Sequence, residues 1–140
     1  MGKLNRNELQ QLTRLRLADA QMLLQGGRSA AAYYLTGLAV ECALKACIAR
    51  STVQYDFPDM DRVRDSWHHD LTGLLRTAGL SDQHAKRSNG DAQFEANWET
   101  VKDWKVSSRY EQRSDQEANN IYNAASEVNH GIVPWIEAHW

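Results

Sequence analysis

The chain has 140 residues, 42% hydrophobic and 24% charged, enough for a single domain over 1–140 that buries one core without disulfide or metal staples. A formal charge of −2 and a sequence pI near 6.2 exclude a dedicated nucleic-acid binder with an overall basic field. No uncharged run of about 18 residues occurs and no basic-then-apolar leader opens the chain, so a cytoplasmic protein without a membrane partner is expected.

Leu9, Leu12, Leu15, Ala20, Leu23 and Leu24 recur at helical spacing after Asn7, which predicts a first helix capped by Asn7 and stopped at Gly26-Gly27. Charge is uneven along the chain. Residues 1–28 carry Lys3, Arg6, Arg14, Arg16 and Arg28 against Glu8 and Asp19, a net +3, whereas residues 111–140 carry Arg113 against five carboxylates, a net −4. Such asymmetry permits attraction between the two ends or between subunits.

Ser29 is expected to cap a second helix that runs to about Arg50. At 100° per residue Tyr34, Leu38, Glu41 and Lys45 share one narrow stripe, so an acid and a base continue a row of core-type residues. A partly buried pair of this kind loses hydration and persists only when well paired. Long side chains snorkelling at the edge of a core explain it, as does a role in lining a site or interface. Cys42 and Cys47 lie about 140° apart on this helix, too far round for a mutual disulfide, and are expected as reduced core thiols.

Residues 51–66, with Pro58, read as an irregular loop. A short third helix is predicted from Asp70 to Ala78 with Gly79 in the left-handed C-cap position, and another from Ser81 or Asp82 up to Asn89-Gly90. Phe94, Trp98 and Val101 mark a helix from about Asp91 to Trp104, and Val106 to Glu111 reads as extended. Ser114-Asp115-Gln116-Glu117 has the form of a capping box, followed by an apolar stripe of Ala118, Ile121, Ala125, Val128 and Ile132. Gly131 and Pro134 predict a kink or break ahead of a terminal turn holding Trp135 to Trp140. The fold class is all-α, an antiparallel four- to five-helix up-and-down bundle.

A further set of residues in this order carries a family resemblance. Ala18-Asp19-Ala20, Gly27-Arg28, AAAYYLTGLAVECALKA from Ala30, His69-Asp70-Leu71 with Leu74-Leu75, and Ser108-Arg109-Tyr110 together resemble the HEPN domains, small helical bundles. The similarity spans about Leu9 to the end, with Glu111 standing where a proline often follows the Arg-Tyr step. The resemblance implies a HEPN-like homodimer tied to RNA or nucleotide chemistry, often encoded beside a minimal nucleotidyltransferase or within toxin-antitoxin and defence systems.

Active members of that family are metal-independent ribonucleases that carry an Arg, four to six residues, then His on a late helix. A histidine near its ordinary pKa moves a proton from the ribose 2′-OH while an arginine stabilises phosphorane charge. Here no late-helix pair exists, since sixteen residues separate Arg113 from His130. The spacing occurs instead at Arg62 with His68 or His69 and at Arg64 with His69, and 11 arginines with 5 histidines yield about one such match by composition alone. A non-catalytic binding module is therefore expected, with a ribonuclease using Arg62, Arg64 and His69 as the alternative.

Trp98, Lys102, Trp104, Lys105, Arg109 and Tyr110 interleave aromatics with cations, a composition suited to stacking bases and holding phosphates. The same residues also serve a bundle that seals its core with indoles and a phenol. Ligand or interface candidates are thus Glu41, Lys45, Lys105, Arg109 and Tyr110. Glu127 and His130 form a Glu-x-x-His pair without the twin that a di-metal bundle requires, so no metal or other cofactor is expected.

Overall fold

The computed structural model describes residues 4–54 and 68–140, with side chains described over 4–51 and 68–140. Among these residues every regular element is helical. The order is α1 (Arg6–Gln25), α2 (Ser29–Gln54), α3 (Leu71–Thr77), α4 (Ser81–Gly90), α5 (Ala92–Val101), a 3-10 helix (Val106–Tyr110), α6 (Asp115–Ser126) and α7 (Ile132–Glu137). α2 and α1 are the longest, with 26 and 20 residues, α6 has 12, and α4 and α5 have 10 each.

α2 is the hub. Ala32, Thr36, Gly37, the run Ala39 to Leu44 and the run Ala46 to Ile48 are buried, so the helix is enclosed on nearly all sides. α1, α3, α6, α7 and the 3-10 helix all pack on it. Ser29–Ser51 is long and apolar enough by composition to cross a membrane, with mean hydropathy 1.3, and in this fold 67% of that window is buried within the protein.

Local chemistry sets the helix ends. α1 is capped by Asn5 and not by Asn7, because Asn5 is the residue three before Glu8: Asn5 Oδ1 accepts the Glu8 amide at 2.9 Å and Glu8 Oε2 accepts the Asn5 amide at 3.2 Å. It ends in a Schellman motif, with Arg28 N–H on Leu23 C=O and Gly27 N–H on Leu24 C=O. α3 ends the same way through Leu80 on Leu75 and Gly79 on Arg76, and Gly79, at φ +76°, supplies the left-handed residue expected there. Ser29 opens α2, but its hydroxyl donates to Asp115 at the start of α6 instead of capping its own helix.

Other expectations are corrected. α2 continues through residues 51–54, and the remainder of the expected loop, with Pro58, Arg62 and Arg64, lies outside the described residues. The segment expected as extended is a 3-10 helix, closed by Ser108 N–H on Lys105 C=O at 2.9 Å and Glu111 N–H on Ser108 C=O at 3.1 Å. The Ser114/Glu117 capping box is present. Ala118, Ile121 and Ala125 face the core as expected, but Val128 is 82% exposed because the backbone leaves the helix at Glu127 (ψ 132°). Pro134 then sits in the first turn of α7, where its missing N–H has no helical partner to lose.

The basic N-terminal helix does meet the C-terminal residues, through a carbonyl and a ring. Arg6 Nε and Gln10 Nε2 donate to the Trp140 carbonyl, and the Arg14 guanidinium lies 5.0 Å from the Trp140 ring centroid.

Candidate functional site

Midway along α2 the stripe predicted to hold Glu41 and Lys45 runs at the edge of the core, with Tyr34 and Leu38 partly buried and packed against it. Glu41 is only 4% exposed. A carboxylate this deep must be paired on both oxygens. Lys45 Nζ reaches Oε2 at 3.4 Å, and His69, just ahead of α3, brings Nδ1 to Oε1 at 2.7 Å. The histidine is the partner that helical spacing did not reveal. His68 turns elsewhere, accepting the Asp70 amide on its Nδ1 at 3.3 Å.

Nδ1 of His69 is engaged by Glu41, so Nε2 is the ring nitrogen left for other partners. The ring lines a groove of about 440 Å³ between the start of α3 and the link from α5 to the 3-10 helix. His69, Asp70 and Thr72 form one wall; Lys102, Trp104 and Lys105 form the other, with Asp103 beside them. Lys102 Nζ is held by Glu99 at 2.9 Å, which raises its pKa, whereas no carboxylate holds Lys105 among the described residues. Trp104 anchors this wall. Its indole packs on Gly37, where a Cβ would fall 2.2 Å from the ring, so glycine is what allows the indole to reach α2. The Trp104 ring is 2% exposed, 5.9 Å from the Tyr34 ring, and its buried Nε1 finds no acceptor among the described residues.

Arg109 and Tyr110 lie outside the groove lining, at the far end of the 3-10 helix. The guanidinium stacks 4.8 Å over the Tyr110 ring, and Tyr110 is 79% exposed, so it does not seal the bundle. Arg113 is occupied by Glu111 and Glu117 and covers the Tyr33 ring at 4.3 Å. The Trp98 ring belongs to the core, and its link to this patch is the backbone carbonyl that accepts the Lys102 amide at 2.8 Å. The structure thus joins Glu41, Lys45 and His69, places Lys105 across the groove from them, and sets Arg109 with Tyr110 apart. Arg62 and Arg64 lie outside the described residues.

A second histidine pair was also missed in the sequence. His130 Nδ1 meets Asp91 Oδ2 at 2.7 Å, Arg87 Nε meets the same oxygen at 3.0 Å, and Asp91 Oδ1 caps α5 by accepting the Phe94 amide at 3.0 Å. Glu127 uses its carboxylate on the His130 backbone N–H, so the Glu-x-x-His spacing closes a turn. Among the described residues no group of three His, Cys, Asp or Glu side chains is placed to hold a metal. Both cysteines are buried and unbridged, and burial pushes each thiol up to about 11, away from nucleophilic use.

The Asp91 pair makes a prediction about acid stability. The hydrogen bond from His130, then those from the Phe94 amide and Arg87, lower the Asp91 carboxyl from 3.8 to about 2. A depressed carboxyl contributes stability that is complete above the unfolded value and is lost as pH falls through the folded one. In Asp91→Ala the urea midpoint should fall clearly at pH 7 and by less at pH 2. An equal loss at both values would mean that the charged carboxylate contributes nothing beyond its shape.

Comparison of the chain with protein-family models, with curated proteins and with solved structures finds no match in any of the three.

Proposed function

We propose that this chain is a HEPN-like binding module, cytoplasmic and homodimeric, without a membrane partner, that takes a phosphate-bearing ligand, nucleotide or RNA, in the groove between His69 and Lys105. It acts with a partner protein, a minimal nucleotidyltransferase in a toxin-antitoxin or defence setting. The family, dimer and partner rest on the ordered motifs from Ala18 to Tyr110 and on an all-helical fold that agrees with them. The ligand rests on one observation: among the described residues Lys105 lines the groove with no carboxylate holding it, in company with Thr72 and His69. The Lys105 ammonium and the Thr72 hydroxyl are donors suited to phosphate oxygens. Asp70 and Asp103 beside them limit the affinity for anions.

A second activity, metal-independent RNA cleavage, is favoured by the contact between Glu41 and His69. A carboxylate on Nδ1 fixes the ring and leaves Nε2 for proton transfer from a 2′-OH. The two readings separate in one assay with labelled single-stranded RNA in EDTA. Binding without cleavage is expected, with a shallow salt dependence reflecting few phosphate contacts and several-fold weaker binding in Lys105→Ala. Cleavage that disappears in His69→Ala while the fold is kept would make the enzyme reading correct. No binding of RNA or nucleotide at low salt would remove the groove from both.

A further inference from the structure

Among the described helices α4 alone has no buried residue, and it packs chiefly on α5. His84 points inward from it, and Ser88, one turn later, also buries its hydroxyl. The imidazole lies among three aromatic rings, with centroids 4.7 Å from Trp98, 5.4 Å from Phe94 and 5.6 Å from Trp135. Its Nε2 is buried and has no hydrogen-bond partner among the described residues. A neutral imidazole tolerates that slot as a flat, weakly polar plug, whereas an imidazolium carries an N–H there with nothing to accept it.

Among the described residues the charged groups near the slot are few. Arg87 of α4 covers the outer Phe94 ring at 5.1 Å, and Glu95 of α5 is the acidic group whose charge His84 feels. From the C-terminal side comes His139, 4.9 Å from the Trp135 ring and near Arg50. Burial outweighs the pull of Glu95 and holds His84 below its ordinary 6.5.

We propose that α4 is an acid-released element of the bundle, with His84 as the titratable plug that seats it in its aromatic slot. Protonation favours the opened helix, where both ring nitrogens meet water. The opening is local. Leu80 stays buried ahead of the helix, and Arg87 stays clipped to Asp91, whose carboxyl remains ionised down to about pH 2. The sign follows from linkage: a histidine held low in the folded state contributes stability that is complete above the unfolded pKa and is lost as pH falls below it.

Amide hydrogen exchange of the full chain between pH 7.5 and 5, normalised to intrinsic rates, tests this. Protection of the α4 amides should fall by up to about tenfold per pH unit below about pH 6.5, while α2 amides hold theirs. His84→Phe should flatten the α4 profile, and His139→Phe should leave the acid loss in place. Constant α4 protection in the native chain, or the same acid loss in His84→Phe, would overturn the proposal. Should His84→Phe fail to fold, the NMR titration of the native His84 ring decides: titration below 6.5 in step with α4 opening supports it, and titration with no change in α4 amides refutes it.

Discussion

Gly37→Ala is expected to destabilise the fold more than its single methyl suggests, because the new Cβ would sit 2.2 Å from three atoms of a fully buried indole. Overpacking of a tight core costs about 1–3 kcal/mol where neighbours can shift, and Trp104, wedged between α2 and the groove, has little room to do so. Trp104→Ala should itself cost about 3–5 kcal/mol by leaving a cavity. The two changes should be strongly non-additive, since alanine at 37 clashes only while the indole is there. Urea unfolding of the two single variants and the double variant measures this. Additive losses would mean that the ring does not rest on Gly37.

The second large effect is expected at Glu41. Lys45→Ala and His69→Ala each remove one of two partners from a buried carboxylate and should each cost about 1–3 kcal/mol. Removing both strands the charge, and the double variant should approach about 3–5 kcal/mol. Glu41→Leu, which removes the charge along with its obligations, should cost less than that double variant despite deleting the centre of the network. If Glu41→Leu proves the most damaging of the set, the carboxylate contributes net stability and the desolvation argument fails.

What the sequence disclosed and what it withheld divide by range. Short-range chemistry was legible: the Ser114/Glu117 box, the stop at Gly26-Gly27, the left-handed Gly79, and the buried faces of α5 and α6 each depend on residues within one or two turns. The Glu41–Lys45 contact was legible for the same reason. The His69 contact spans 28 residues and the Asp91–His130 contact 39, and neither follows from any helical period. Val128 was misplaced because a stripe read at 3.6 residues assumes an unbroken helix, and the backbone departs at Glu127. The groove was half legible. Its cations and indole were visible as composition, but only the fold separates Trp104 and Lys105 from Arg109 and Tyr110.

The two thiols on the central helix have a practical consequence. Cys42 and Cys47 lie 8% and 3% exposed on the helix against which α1, α3, α6 and α7 pack, and neither is bridged. A thiol reagent can reach them only when that packing comes apart, so the speed at which the native protein is alkylated reports how often the whole bundle opens. The chain carries its own clock for global unfolding, with no label to be engineered in.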